Sequence, residues 1–260
     1  MSKEIIRVND FSLFFEMINS LNKMVDGVKC VINGYGLTIY TKNDFSKCEI
    51  TTNCVVSDNE ISFCIRDLGI LSKVLSTLNT LYGNDIENTI KIYYEQPFIK
   101  IESKKFKTKL NTIDEDSIRN FITEKVKTEL TPQLEFTTNS SLIRSINNYS
   151  FITNDKNATR IYIESNPEME NNVIFAKVGN ESNETENYAV MELGLITSGV
   201  LSDRKIIIDF DRLNMLNILP SDEINVQIAN ERPVMISKTM KSGKNNSFLN
   251  INIYVFMMVK

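Results

Sequence analysis

The chain has 260 residues, 42% of them hydrophobic and 24% charged, with no histidine, no tryptophan and a formal net charge of -4. These proportions are those of a globular protein and exclude disorder and fibres, and the length favours two domains, each with its own core. The lack of histidine removes the commonest general base and nitrogen metal ligand, and a net acidic chain does not coat nucleic acid by bulk attraction.

No stretch approaches the roughly 18 to 20 consecutive apolar residues of a membrane span, and the opening "MSKEIIRVND" lacks the apolar core of a secretory signal. A soluble, cytoplasmic protein with no membrane contact is expected. Cys30, Cys48, Cys54 and Cys64 form no CxxC pair, so neither a zinc site nor a disulfide framework is indicated. They read as buried strand residues.

The first periodic segment is "NDFSLFFEMINSLNKMVDG", with Phe11, Phe14, Met17, Ile18, Leu21 and Val25 at three- and four-residue steps. It predicts an amphipathic helix, capped by Asp10 and stopped at Gly27. From Val28 the period becomes two, through "VKCVING", "GLTIY", "KCEITTNCVV" and "EISFCI". Short antiparallel strands follow from that alternation and its Asn-Gly and Asp-Asn turns. In "RDLGILSKVL" Leu68, Leu71, Val74, Leu75 and Leu78 form one apolar stripe, with Arg66, Gly69, Lys73 and Ser76 opposite. This is a second helix, after which strands resume in "TIKIYYE", "PFIKIES" and "KFKTKLNTI".

Residues 114–131, "DEDSIRNFITEKVKTELT", are charged and without a clean period, and read as a surface connector between domains 1–113 and 132–260. The order then repeats: a strand in "QLEFTT", a helix over 140–149, then strands in "TRIYIES", "NVIFAKVG", "NYAVMELG" and "RKIIIDF". A helix over 211–219 precedes the strands "EINVQI", "PVMISK" and "FLNINIYVFMM". The halves share pattern rather than residues.

Carried by that repeat and by "NGYGLTIYTKNDFSKCEI", "DLGILSKVLSTL" and "FDRLNMLNILPSDEINVQIANERPVMI", the chain resembles the protomer of a DNA sliding clamp. The relatives are proliferating cell nuclear antigen and the clamps of T-even phages. The resemblance implies an α+β fold of two tandem domains, each of antiparallel sheets with two helices on one face. It implies a homotrimeric ring around duplex DNA, a separate clamp loader, and a tethered DNA polymerase.

By the same resemblance, the DNA-facing residues are Lys23, Arg66, Lys73, Arg144 and Asn147, within helix faces that include Ser12, Glu16 and Asn19. Lys73 and Arg144 match positions that are usually basic in the family; other such positions are Phe15, Asn22, Asn147 and Ile218, so the lining is only thinly basic. A closed ring tolerates this, because enclosure replaces affinity and weak phosphate contacts permit sliding. A partner-peptide pocket is implied at Tyr40, Phe45, Pro233, Val234, Tyr254 and Phe256, with Phe121 and Ile122 of the connector as a docking element. The implied ring seam joins the sheet edges 105–113 and 172–180.

With no glycine-rich phosphate loop, metal-ligand cluster or nucleophile beside a base, no enzymatic activity and no cofactor are expected. The excess of Lys over Arg and the abundant Asn and Ile suit an AT-rich genome and a phage or viral source. The alternative reading keeps the fold and makes the protein a viral transcription cofactor, or an accessory DNA-binding subunit that forms no ring.

Overall fold

The computed structural model describes residues 3–25, 27–42, 46–113, 132–139, 141–142, 145, 160–165, 173–178, 188–199, 206–209, 223–229, 234–241 and 246–255. The chain divides into two compact units. Unit 1 comprises Met1–Asn43, Lys47–Val126 and Thr239–Ile251; unit 2 comprises Asp44–Ser46, Lys127–Lys238 and Asn252–Lys260.

Unit 1 runs β1 (Glu4–Val8), α1 (Phe11–Asn22), β2 (Val28–Asn33), β3 (Gly36–Lys42), β4 (Ser46–Thr52), β5 (Val55–Ser57) and β6 (Ile61–Ile65). There follow α2 (Leu68–Tyr82), a 3-10 turn and the short α3 (Ile86–Thr89), then β7 (Lys91–Glu95), β8 (Phe98–Glu102) and β9 (Lys107–Asn111). One antiparallel sheet has the order β5-β1-β7-β8-β9, and another contains β4-β3-β2-β6.

Both long helices begin as the sequence predicts. The Asp10 carboxylate accepts from the Leu13 amide at 3.0 Å and that of Asp67 from the Ile70 amide at 3.1 Å, each satisfying an otherwise unpaired first-turn donor. α1 ends at Asn22, with Lys23 as its C-cap, rather than at Gly27. Gly27 serves a different purpose: a Cβ there would lie 2.9 Å from the Ile65 carbonyl oxygen, so only glycine lets β2 start against the end of β6.

The strand expected across "KCEITTNCVV" is broken in two. β4 pairs with β3 while β5 pairs with β1, in the other sheet. The switch occurs at Asn53 and Cys54, where the Cys54 carbonyl accepts from the Asn9 amide at 2.7 Å and the Asp10 amide at 3.3 Å. These bonds draw the chain over to β1. β1 itself has no counterpart in the sequence reading, because "EIIRV" is one short run without a turn signal before it.

Fully buried Ile18 and Leu21 of α1 and Leu68, Leu75 and Leu78 of α2 join Val28, Leu37, Ile39, Ile50 and Ile101 of the sheets in the unit 1 core. All four cysteines are buried and form no disulfide; Cys30, Cys48 and Cys64 lie on strands, as expected, and Cys54 lies in the bend between β4 and β5. Burial pushes the Cys54 thiol up to about 12 and raises those of Cys30 and Cys48 further.

Unit 2 contains β10 (Leu134–Asn139), β11 (Arg160–Ser165), β12 (Val173–Val178), β13 (Ala189–Gly199), β14 (Ile206–Asp209), β15 (Glu223–Ile228) and most of β16 (Val234–Lys241). Their order is β14-β11-β12-β13-β10-β15-β16. The last strand, β17 (Phe248–Val255), contributes its first four residues to unit 1, where it lies beside β4. There the Thr52 hydroxyl donates to the Phe248 carbonyl at 2.6 Å, and the Phe248 amide donates to the Asn53 side chain at 2.8 Å.

The strand order of unit 2 repeats that of unit 1. β6-β2-β3-β4 corresponds to β14-β11-β12-β13, and β5-β1-β7-β8-β9 corresponds to β13-β10-β15-β16-β17. β13 fills two places because it is long: Ala189–Leu195 pairs with β12 and Gly194–Gly199 with β10. At Gly194, a Cβ would lie 2.0 Å from the Thr137 carbonyl oxygen, so glycine is what allows one strand to pass so close where its partners change. The expected helices at 140–149 and 211–219 fall for the most part outside the described residues.

Candidate functional site

The two long helices of unit 1 pack on each other, and the sequence sets their contact. The Ser72 hydroxyl of α2 donates to the Asn19 side-chain oxygen of α1. One turn earlier, Gly69 faces the end of α1, where a Cβ would lie 3.4 Å from the Asn22 side-chain oxygen, an ordinary contact distance. The C-terminal end of α1 thus lies against the N-terminal end of α2. Asn19, expected to face outward, is half-buried and holds the two helices together.

Outside this contact, Lys23, Arg66 and Lys73 are exposed, and no hydrogen bond or ion pair engages their side chains among the described residues. Lys23 and Arg66 flank the junction of the helices, and Lys73 lies two turns further along α2. Lys73 is the one charged residue within α2, so no carboxylate of that helix offsets it. Glu16, exposed on α1, is the nearest opposing charge in that helix. The outward stripe of α2 also carries Ile70, 51% exposed, and Thr77 and Thr80, whose hydroxyls donate back to the carbonyls of Lys73 and Ser76. Sequence periodicity did not single out Ile70, because an exposed isoleucine beside a buried stripe has no spacing signature of its own.

Such a face has exposed cations on long side chains, hydroxyls already bonded to the helix, and a single guanidinium fork, that of Arg66. It can attract phosphates and let them pass. Arg144 and Asn147 lie outside the described residues.

Of the partner-pocket residues, Tyr40 is half-buried on β3, opposite Lys29 on one side and Glu49 on the other. Its phenol is raised above the ordinary range by burial and, secondarily, by Glu49. Val234 is fully buried in β16, and Tyr254 is half-buried in β17. Phe45, Phe121, Ile122, Pro233 and Phe256 lie outside the described residues. No group of three or more potential metal-ligating side chains occurs among the described residues, and no helix there is long and apolar enough to cross a membrane.

The seam expected at 172–180 is corrected by the strand order. β12 has β11 on one side and β13 on the other, so its edges are taken. In unit 2 one unpaired edge among the described residues is the first half of β13, Ala189–Leu193, where Val190 and Glu192 are exposed and Tyr188 precedes them at 51% exposure. β9 pairs with β8 alone, leaving its other edge open.

This is an α+β fold of antiparallel sheets with few helices, and over the whole chain it is the fold of the sliding clamps. No family model matches the sequence, and no curated protein matches it. Among solved structures it is similar to A. fulgidus PCNA, solved with the C-terminal region of FEN-1 bound, with a TM-score of 0.69, 10% identity, and 100% of this chain and 99% of that chain covered. It is also similar to PCNA from Thermococcus kodakaraensis, with a TM-score of 0.66, 15% identity, and 99% of this chain and 100% of that one covered.

Proposed function

We propose that the protein is a non-enzymatic processivity factor, a homotrimeric sliding clamp that encircles duplex DNA inside the cell and tethers a polymerase to it. A separate loader opens the ring. The observation that carries this reading is the repeated strand order and the two edges it leaves over. In unit 1, β4 has β17 beside it; the strand that corresponds to β4 is the first half of β13, and the one that corresponds to β17 is β9. Both of these edges are open among the described residues. Pairing β9 of one copy with β13 of the next repeats a contact the chain already makes, and a heterologous contact of this kind closes into a ring. Lys107 and Lys109 on β9 would meet Glu192 on β13.

The unpaired cations Lys23, Arg66 and Lys73 then serve as the DNA-facing set, with Arg144 and Asn147 beside them. The A. fulgidus clamp binds a C-terminal region of FEN-1. A peptide of that kind, from a polymerase or another replication protein, is the ligand for Tyr40, Phe45, Pro233, Tyr254 and Phe256, with Phe121 and Ile122 in the connector; Val234, fully buried, belongs to the sheet core instead.

The test is retention on DNA after loading. A ring stays on nicked circular DNA and is lost from the same DNA once linearised, while sedimentation across a range of concentrations gives a trimer. Equal retention on both forms, with a monomer at every concentration, would leave an accessory DNA-binding subunit without a ring.

A further inference from the structure

The sheet β5-β1-β7-β8-β9 has a second face, turned away from the helices. Ile6, Ile92, Ile99 and Ile101 point inward, where they line one small apolar cavity together with Phe14 and Ile18 of α1 and Leu71 and Leu75 of α2. Strand alternation places Lys3, Tyr93, Phe98, Lys100 and Lys109 on the opposite face. Tyr93 is paired across strands with Lys100, and Lys100 with Lys109. Between residues 91 and 109 there are six lysines against two glutamates, a net of +4 in a chain whose total is -4.

The two rings hold the ammonium groups in place. The Lys3 Nζ lies 3.5 Å from the centroid of Tyr93, and the Lys109 Nζ lies 3.1 Å from that of Phe98. Such contacts fix the position of a charge without neutralising it. Lys100 bonds to Glu95, and this bond, with Lys3 and Lys109 nearby, holds the Glu95 carboxyl below its usual range, as a positive local field requires. Lys91 and Lys107 flank the cluster without ion pairs among the described residues.

We propose that this outer face binds single-stranded DNA, with Tyr93 and Phe98 as stacking platforms and Lys3, Lys100 and Lys109 on the phosphates. Cations interleaved with half-buried rings suit an unpaired strand, whose bases displace the ammonium groups of Lys3 and Lys109 from the ring faces while its backbone phosphates take them up. A duplex keeps its bases stacked and gains nothing from the rings. An acidic peptide would use the lysines alone. The face is separate from the helix face that carries Lys73, and Tyr93, Phe98 and Lys100 lie on β7 and β8, so these three serve whether or not β9 pairs with a second copy, while Lys109 serves where the β9 edge is open.

The experiment is fluorescence anisotropy of a labelled 20-nucleotide oligothymidylate with the full chain at low salt. A dissociation constant of about 1–100 µM is expected, weakening steeply as salt rises. The double variant Tyr93→Ala/Phe98→Ala should bind about tenfold more weakly, Lys100→Glu should also weaken binding, and Lys241→Glu, at the exposed end of β16, should bind as the parent does. Thermal melts confirm that each variant is folded, and sedimentation that its oligomeric state is that of the parent. The proposal is overturned by no binding in the parent, by unchanged binding in the aromatic variant, or by a loss in Lys241→Glu as large as in the aromatic variant. A poly-glutamate peptide that competes fully, with no effect of removing the rings, would make this an acidic-peptide surface and overturn it as well.

Discussion

The Glu87 side chain accepts a 2.9 Å hydrogen bond from the backbone amide of Phe11, so α3 closes the start of α1 across 76 positions of sequence. Asp10 accepts from Leu13 in the same turn. Two carboxylates therefore meet the positive end of one helix dipole. Replacing Glu87 by Ala removes one acceptor and is expected to lower stability by about 1 kcal/mol. Asp10→Ala should cost about 1–2 kcal/mol, since this cap is buried. Urea unfolding should rank the variants parent, Glu87→Gln, Glu87→Ala, Asp10→Ala, because Gln keeps an oxygen acceptor.

Leu75 is fully buried and lines the apolar cavity between the helices and the strands of unit 1, whose volume is about 40 Å³. Truncating it to Ala enlarges a space that is already unfilled, and the two helices and the strands of both sheets around it cannot collapse together. The loss should fall in the upper half of the roughly 2–5 kcal/mol range for such changes. Ile70→Ala, on the exposed side of the same helix, is expected to change stability by less than about 0.5 kcal/mol. Chemical denaturation of the pair checks the contrast.

The long periodic segments were legible in the sequence because one physical constraint wrote them. The stripe Leu68, Leu71, Leu75 and Leu78 and the cap Asp10 appear in the structure as read, with Val74 of the same stripe half-buried and Asp67 a second cap that the reading did not name. What was missed depends on contacts distant in sequence. The break between β4 and β5 is made by Asn9 and Asp10 binding the Cys54 carbonyl, some 45 residues away, and alternation continues through it undisturbed. The seam was misplaced for a related reason: "NVIFAKVG" and "NYAVMELG" alternate alike, and only pairing shows that the first is enclosed and the second partly open. Lys23, Arg66 and Lys73 were found as charges on a helix face, while the role of Asn19 required its neighbour Ser72.

The cysteine thiols give a reading of core integrity. Cys30, Cys48, Cys54 and Cys64 are all buried, and burial raises three of the four thiols well above the range in which thiolate forms at neutral pH. A thiol-specific reagent should modify none of them quickly in the folded protein and all of them in urea. Fast labelling of any one under native conditions would mean that its strand opens locally.

Two ion pairs, one exposed and one half-buried, set a modest pH dependence. Arg7 donates to both oxygens of Asp58, and Lys100 to one oxygen of Glu95, each holding its carboxyl below the usual range. A carboxyl depressed in the folded state stabilises above its unfolded value, about 4, and that contribution is lost as pH falls through the folded value. Stability should therefore be flat from neutral pH down to about 5 and decline below it. Asp58→Asn with Glu95→Gln should reduce the decline. Because Arg7 and Asp58 are 53% and 68% exposed, salt should shrink the difference between parent and variant.

Charge reversal on the helix face separates enclosure from assembly. Lys73 is exposed, unpaired among the described residues, and the one charge of α2, so Lys73→Glu inverts the sign of that helix without breaking a contact. Combined with Arg144→Glu on the corresponding stretch of the second half, it should impair stimulation of the cognate polymerase at physiological salt. Each like-charge contact with a sliding duplex adds repulsion where the parent has attraction. Sedimentation should be unchanged, because neither residue lies on β9 or β13. If stimulation by the double variant equals that of the parent, the two residues do not face DNA. If instead sedimentation changes, the helix faces are part of the contact between copies and the proposed arrangement of the ring is wrong.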